Sequence, residues 1–326
     1  MNFTKLLQKI IENNFLIIGR AGVDIFPDPP GTKTELATNF VAHLGGSSAN
    51  IAVALTKLGG KCKLLTSVSD DALGRLALNQ LNYYNVDTSL VRSQKREARI
   101  SFAIVESTIE DHQSIIYRNG AADLLMNEYD IRQVDFGNFS CIIFTGTCLA
   151  ANPSRSAIFL ALDKAKTANI PIIFDIDYRP YTWKSVEEAS QVYLRAAKSC
   201  DIIIGNDDEF GVMAMNYDKG MEIARDLSKE VSIVVYKKGE KGSITFLNNK
   251  EINKGIFPVK ALKPTGAGDA FMGGFIGGLL SKKSVQESVE YGSASAAIVV
   301  TKVGCAPAMP LQNEIEDFIK SNTINT

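Results

Sequence analysis

Short apolar runs alternate with amphipathic stretches through the second half of the chain. The runs have the length and composition of strands buried on both faces, and they lie at residues 141–144, 170–174, 201–204 and 231–236. The stretches between them are long enough for helices. This alternation indicates β-α-β units, so we predict an α/β fold built on a doubly wound, mostly parallel sheet.

The first half of the chain adds strands of the same kind. Residues 15–19 form a wholly apolar run that ends in glycine, and residues 63–68 precede a helical pattern at 70–84. Residues 243–247 follow a Gly-Glu-Lys-Gly turn and are expected to return as an antiparallel strand. Two helices are predicted to complete the fold, at about 267–281 and 285–301.

Segments of a different character predict a second, smaller sheet. Residues 100–105 and 113–118 are β-branched, alternate in polarity and are separated by a polar turn, as in a half-exposed hairpin. Together with the segment around 22–44, they predict a small sheet that stands off the main one and serves as a lid. We expect the whole chain, 1–326, to form a single domain whose lid strands lie within about 22–44 and 98–120.

Composition and charge narrow the functional classes. The chain has 326 residues, of which 45% are hydrophobic, and a net charge of −1, so no overall field favours nucleic acid or an anionic membrane. The five cysteines show no C-x-x-C spacing and are expected to be reduced thiols in a cytoplasmic protein. Residues 1–14 lack the apolar core of a signal peptide, and no apolar run reaches membrane-spanning length.

A turn of small residues late in the chain has the pattern of an anion site. Residues 263–269 read Lys-Pro-Thr-Gly-Ala-Gly-Asp and lead into an apolar segment with helical spacing. Backbone N–H groups at such a helix start point outward and favour an anion. Asp269 would stand beside that anion, but it could equally be a capping residue, since aspartate is preferred at helix N-termini.

Other candidate residues are weak signals when taken alone. Asp24 follows the first predicted strand, at an edge where α/β proteins bind ligands, but it could also be an ordinary turn residue. Gly45, Gly46 and Asn50 belong to a glycine turn before a helix, which suits a polar ligand but is a common feature. The chain has no P-loop and no dinucleotide-binding fingerprint, so a phosphate site would have to be the 266–269 turn.

These motifs together resemble those of the ribokinase-like (PfkB) carbohydrate kinases. The shared features are Gly45-Gly46 with Asn50, the Asn-Asp-Asp-Glu sequence at 206–209, and Thr-Gly-Ala-Gly-Asp-Ala-Phe at 265–271, in this order and at these separations. The resemblance covers nearly the whole chain. It implies a three-layer α/β/α fold, phosphorylation of a sugar hydroxyl by ATP with Mg²⁺, and a homodimer that pairs through the lid.

The resemblance also implies roles for residues at matching positions. Asp269 would be the catalytic base that accepts the proton of the attacking hydroxyl. The amides of Ala267, Gly268 and Asp269 would form an anion hole for the transferring γ-phosphoryl group, in the turn that Gly266 begins. Such chemistry depends on positioning and charge stabilisation more than on a strong base. The sugar would be held by the early motifs, at Asp24, Gly45, Gly46 and Asn50.

The resemblance assigns further residues to the nucleotide and the metal. Asn206 and Glu209 would organise Mg²⁺ through water, although without the resemblance they read as an acidic helix N-terminus. Lys237 would reach a phosphate and Gly239 would approach the nucleotide. The turn itself would contribute to nucleotide binding, through Thr265, Gly266 and Gly268.

Lys263 departs from the pattern of many relatives. They carry at this position, six residues before Asp269, an aspartate that helps to hold a monovalent cation. An ammonium group cannot ligate K⁺. We therefore predict that activation by K⁺ is weak or absent, with the lysine supplying the charge of the ion.

Two arginines predict an acidic substrate. Arg179 lies in an Asp-x-Asp-Tyr-Arg-Pro-x-x-Trp sequence just after a predicted strand, and Arg118 lies on the predicted lid. Arginine forks bind carboxylates in a bidentate way. Internal pairing of Arg179 with Asp175 or Asp177 is the alternative, because buried arginines need a partner.

Within the family, the sequences at 20–24, 175–183 and 262–269 resemble most the branch that phosphorylates the C6 hydroxyl of 5-dehydro-2-deoxy-D-gluconate in inositol catabolism. Kinases of 2-keto-3-deoxygluconate share the Arg-x-x-x-Trp feature and are the alternative. Fructokinase is a weaker alternative, because a neutral sugar offers no anion for the two arginines to bind. A sugar-binding regulator is the non-enzyme alternative, while the missing fingerprint disfavours a nicotinamide dehydrogenase.

Overall fold

The computed structural model describes residues 1–95, 97–248 and 250–325. The strands in these ranges are β1 (Phe15–Ile18), β2 (Gly22–Asp28), β3 (Asn39–Gly45), β4 (Cys62–Ser69), β5 (Asp87–Gln94), β6 (Ser101–Val105), β7 (Ser114–Tyr117), β8 (Cys141–Thr145), β9 (Ile172–Asp175), β10 (Ile202–Asn206), β11 (Ile233–Lys237), β12 (Ser243–Leu247) and β13 (Lys250–Lys254).

The α-helices of the same ranges are α1 (Phe3–Ile11), α2 (Ser47–Lys57), α3 (Ala72–Tyr83), α4 (Glu128–Arg132), α5 (Ser154–Ala168), α6 (Val186–Ala197), α7 (Asp207–Met213), α8 (Gly220–Leu227), α9 (Ala267–Leu280), α10 (Val285–Val300) and α11 (Gln312–Ser321). Across the described residues, no helix combines the length and the apolar character needed to cross a bilayer.

The main sheet has nine described strands in the order β13-β12-β11-β10-β9-β8-β1-β4-β5. Neighbouring strands from β5 to β11 are parallel, whereas β12 and β13 return antiparallel. The chain builds the sheet outward from β1, first through β4 and β5 and then through β8 to β11. The predicted doubly wound, mostly parallel sheet is therefore confirmed, together with its antiparallel return.

Helices cover both faces of this sheet and give it three layers. Successive residues of a strand point to opposite faces. In β1, Phe15 and Ile17 pack into one core, and Leu16 and Ile18 pack into the other. The first core contains buried residues of α2, α9 and α10, and the second contains those of α5, α6 and α7.

Strand register brings the carboxyl ends of neighbouring strands to one edge of the main sheet. Thr145 pairs with Asp175 across β8 and β9, and Asn206 pairs with Lys237 across β10 and β11. The loops after these strands open at that edge, which is where open α/β sheets bind ligands. The topology thus collects polar residues from distant parts of the chain.

The smaller sheet has the strand order β3-β2-β6-β7. Strand β2 pairs antiparallel with β3 and parallel with β6, which pairs antiparallel with β7. Its strands fall in the two segments that the sequence pattern assigned to a small sheet. Because residues of β6 and β7 line the cavity described below, we call this sheet the lid.

Several described elements were not predicted, and β5, β13 and α11 are among them. The two strands lie at opposite edges of the main sheet, and each has a single partner. Edge strands tolerate polar and charged side chains, so their hydrophobic pattern is weak. Strand β13, for example, reads Lys-Glu-Ile-Asn-Lys. Helix α11 buries only Ile315 among its described residues.

Candidate active site

A cavity of about 380 Å³ lies between the carboxyl edge of the main sheet and the lid. The lid contributes Ala103, Val105, Ser114 and Ile116 to its wall. The opposite wall is polar and contains most of the residues that were predicted to form the site, namely Asp24, Gly46, Asn50, Arg179, Asn206, Glu209, Lys237, Thr265, Gly266, Gly268 and Asp269.

The glycine turn shapes the N-terminus of α9 for an anion. Gly266 precedes the helix with a φ of 87°, and a Cβ there would lie 2.9 Å from Cys305 Sγ, so this position requires glycine. No side chain caps the helix. The N–H groups of Gly268 and Asp269, in its first turn, have no intrahelical acceptor. The helix dipole adds to the attraction of this end for negative charge.

Asp269 stands at the same turn, in the wall of the cavity. Its Oδ2 accepts a hydrogen bond from Asn50 Nδ2 at 2.8 Å. Burial raises the pKa of Asp269 to about 7, and the nearby Asp177 carboxylate adds to the rise, while the bond from Asn50 opposes it. A carboxylate with a pKa near neutrality can both accept a proton during a reaction and release it afterwards.

Two further aspartates lie at the end of β9, since Asp175 is its last residue and Asp177 comes two residues later. Burial raises the pKa of Asp175 well above its ordinary value, and the carboxylates of Asp177 and Glu209 add to this rise. Burial acts on Asp177 in the same direction, but the Arg179 guanidinium and a hydrogen bond from Ser47 hold the pKa of Asp177 below its ordinary value. Asp177 also has a φ of 40°, a strained conformation of the kind that clusters at functional sites.

Asn206 and Glu209 form a capping box at the start of α7. Asn206 Oδ1 accepts from Glu209 N at 2.8 Å, and Glu209 Oε2 accepts from Asn206 N at 2.7 Å. Asn206 and Glu209 therefore do form a helix N-terminus, and both also line the cavity. Carboxylate oxygens have lone pairs beyond those used here. The pair fits a hard cation held through water.

A second cavity of about 450 Å³ adjoins the first at Lys237 and Gly268. Its wall is largely apolar and includes Phe257, Phe271 and Ala297. The predicted nucleotide residue Gly239, in a turn with a φ of 54°, also lines it, and so does Ala267. The Lys237 ammonium stands at the junction, 3.5 Å from where a Cβ on Gly268 would lie.

Asp24 and the two early glycines form one packed unit. Asp24 is buried in the cavity wall, and burial raises its pKa while Arg20 opposes the rise. Gly45 is not part of the wall but packs against the Asp24 carboxylate, with which a Cβ at this position would collide. Gly46, with a φ of 93°, begins α2 and brings Asn50 to the cavity.

Arg118, which was predicted to bind substrate, lies outside this cavity. Its guanidinium forms an ion pair with Asp123, and its Nη1 donates to the Thr147 carbonyl at 2.9 Å. Both members of the pair are buried. The charge of Arg118 is thus already matched, and this placement argues against the predicted role.

Arg179 does line the cavity, but it also makes the internal pair that the sequence left open. Its Nη2 lies 2.8 Å from Asp177 Oδ1. The residue that the sequence reasoning missed is Arg20, which is buried in the same wall. Its position directly after β1, at the ligand-binding edge of the sheet, was the available signal.

Lys263 lies under the glycine turn and is fully buried. Its Nζ donates to the Thr265 carbonyl at 2.5 Å. Burial lowers the pKa of Lys263, while the neighbouring Cys305 and Asp24 act in the opposite direction. A fixed positive group thus supports the turn from behind.

Comparison with known proteins agrees with this geometry. Residues 13–312 match the sequence profile described as pfkB family carbohydrate kinase. The 5-dehydro-2-deoxygluconokinase of Geobacillus thermodenitrificans is 36% identical over 94% of this chain and 93% of its own, and that of Clostridium tetani is 37% identical over 98% and 96%. A crystal structure of fructokinase with bound ATP from Xylella fastidiosa matches with a TM-score of 0.83 at 19% identity, covering 95% of this chain and 99% of that one. The chain belongs to the pfkB family of carbohydrate kinases.

Proposed function

We propose that the protein is an ATP-dependent kinase that phosphorylates the C6 hydroxyl of 5-dehydro-2-deoxy-D-gluconate, a step of myo-inositol catabolism. The observation that carries this proposal is the position of Asp269, whose carboxylate stands at the uncapped N-terminus of α9 in the wall of the lid-covered cavity. A base beside an anion site suits phosphoryl transfer to an alcohol. The relatives at 36% and 37% identity support the choice of acceptor.

Asp269 accepts the proton of the C6 hydroxyl as the hydroxyl oxygen attacks the γ-phosphorus of ATP. The bond from this phosphorus to the β,γ-bridging oxygen breaks, and ADP leaves with that oxygen. The N–H groups of Gly268 and Asp269, together with the Lys237 ammonium beside them, stabilise the charge on the transferring group. The proton then passes from Asp269 to solvent.

The sugar hydroxyls have partners in the same wall. Asp24 is a hydrogen-bond acceptor there. The side-chain nitrogen of Asn50 donates to Asp269, while the buried Oδ1 of Asn50 has no partner among the described residues. Buried polar atoms of this kind need a hydrogen bond. Donation from substrate hydroxyls supplies it.

The second cavity suits the nucleotide. Its apolar wall fits a base, and its junction with the first cavity directs phosphates to Gly268 and Lys237. We infer Mg²⁺ as the metal, held through water by Asn206 and Glu209. When bound, it neutralises phosphate charge and orients the groups that react.

We infer a homodimer that pairs through the lid, with the sugar acid and ATP as small-molecule partners. Four large apolar side chains are exposed on lid strands, namely Phe40, Val41, Ile115 and Tyr117. They lie on β3 and β7, the two edge strands of the lid, and exposed edge strands can pair with another chain. Light scattering of the purified protein tests this, since a monomer at micromolar concentration would contradict it.

All five cysteines are free, which accords with the cytoplasm, where we place the protein.

A panel of acceptors tests the proposed substrate. ADP release with Mg-ATP is measured for 5-dehydro-2-deoxygluconate, 2-keto-3-deoxygluconate, fructose and ribose. We expect the first acid to have the highest kcat/KM, by about tenfold or more over the second. The second acid is the closest competitor, because Arg179 and Trp183 preserve the Arg-x-x-x-Trp feature. A preference for a neutral sugar would contradict the acidic substrate.

A further inference from the structure

Arg20 is a buried cation in the cavity wall that forms no ion pair with any carboxylate of the described residues. It is 6% exposed. Its Nη1 lies 3.4 Å from the Ser101 hydroxyl of β6, and its Nε has no hydrogen-bond partner in the described part of the chain. The Asp24 carboxylate acts on Arg20 electrostatically but forms no ion pair with it. Burial without a close ion-pair partner is costly for a guanidinium, so its natural partner is a group on a ligand in the cavity.

The other cations of the cavity are engaged elsewhere. Arg179 is paired with Asp177 at 2.8 Å. Lys237 stands at the junction of the two cavities, on the side of the transferring phosphoryl group. Lys263 is bonded to a backbone carbonyl behind the glycine turn. Arg20 is therefore the cation best placed to meet a negative charge on the acceptor.

The backbone holds Arg20 in a fixed position. The Ala49 N–H at the start of α2 donates to the Arg20 carbonyl at 3.2 Å. A Cβ on Gly46 would lie 2.5 Å from the same carbonyl oxygen, so the close approach of loop and helix depends on that glycine. The backbone that carries the guanidinium is thus held in place, which lowers the entropy cost of binding a ligand.

We propose that Arg20 binds the carboxylate of the sugar acid and so selects acids over neutral sugars. The inference rests on the proposed function and names a specificity residue within it. A planar guanidinium presents Nε and Nη as parallel donors to the two oxygens of a carboxylate. Ser101 steadies Nη1, and because Arg20 lines the cavity wall, its guanidinium has donors left for the substrate.

The test compares Arg20→Met and Arg20→Lys with the wild type, and Arg179→Met is the matched control. The readouts are KM and kcat/KM for 5-dehydro-2-deoxygluconate and for the uncharged amide of this acid, with the Tm shift caused by Mg-ATP. For Arg20→Met we expect KM for the acid to rise about 100-fold and the acid-to-amide ratio of kcat/KM to fall similarly, with the Tm shift retained. Arg20→Lys keeps the charge but loses the bidentate geometry, so its KM and its acid-to-amide ratio should lie between those of the wild type and Arg20→Met.

The outcomes separate the two proposals. A wild type that does not phosphorylate the acid overturns the proposed substrate. A wild type that does so, while Arg20→Met keeps the acid-to-amide ratio within about threefold, overturns the role of Arg20. A fall of the acid-to-amide ratio that is larger in Arg179→Met than in Arg20→Met also overturns the role of Arg20. If Arg20→Met loses the Tm shift through misfolding, the same ratio in Arg20→Lys decides.

Discussion

The reactivity of Asp269 follows from where its side chain lies. Burial and the nearby Asp177 carboxylate oppose its ionisation, while the hydrogen bond from Asn50 fixes one of its oxygens. The other oxygen is left for the substrate hydroxyl. The same burial that makes the carboxylate a stronger base also couples its activity to pH in the physiological range.

We expect kcat/KM for the sugar acid to fall about tenfold per pH unit below pH 7. The raised pKa of Asp269, about 7, keeps the carboxyl protonated at lower pH, and the protonated form cannot accept the hydroxyl proton. Activity therefore rises with pH through this value. The measurement is kcat/KM at saturating Mg-ATP from about pH 5.5 to about pH 9. A profile that stays flat down to the acid end would contradict this basicity.

At the scale of the element, the start of α9 depends on what supports it. Gly266 gives the turn its left-handed conformation, and Lys263 holds the Thr265 carbonyl from behind. The lysine is buried close enough to Asp24 and Asp269 for their charges to affect its pKa. We propose that an ammonium group here does electrostatically what a bound monovalent cation could do at the same turn.

Replacing Na⁺ by K⁺ at constant ionic strength should change the wild-type kcat by less than about twofold, because the charge is already supplied by Lys263. Lys263→Met removes the charge and the hydrogen bond to Thr265, and should lower kcat by about tenfold or more. A salt titration of both proteins provides the measurement. Many-fold activation of the wild type by K⁺ would show that the lysine does not replace the ion.

Elements with a strong local pattern were predictable from the sequence, and edge elements were not. The buried strands β8 to β11 are continuous apolar runs, and the helices α9 and α10 are long apolar segments with helical spacing. Strands β5 and β13 are stabilised by pairing with a neighbour, which a local pattern does not report. The hairpin of the lid could be placed because residues 100–105 and 113–118 alternate in polarity on either side of a polar turn.

On the scale of the whole molecule, the site is assembled from elements far apart in the sequence, and this limits what the sequence can say. Motif order identified Asp24, Asn50 and Asp269, and the fold brings all three to one cavity. The pairing state of each arginine was not predictable, since it depends on tertiary neighbours. Arg118 pairs with the Asp123 carboxylate, whereas Arg20 forms no ion pair among the described residues and hydrogen-bonds to the Ser101 hydroxyl.

The central claim is that Asp269 is the base of a phosphoryl transfer, and the most direct test is the kcat of Asp269→Asn with the sugar acid and saturating Mg-ATP. Asparagine keeps the volume and the backbone N–H groups of the turn but cannot accept the proton. We predict a fall in kcat of about 10²- to 10⁴-fold, with the Mg-ATP Tm shift retained. A variant whose kcat stays within about tenfold of the wild type would contradict the claim.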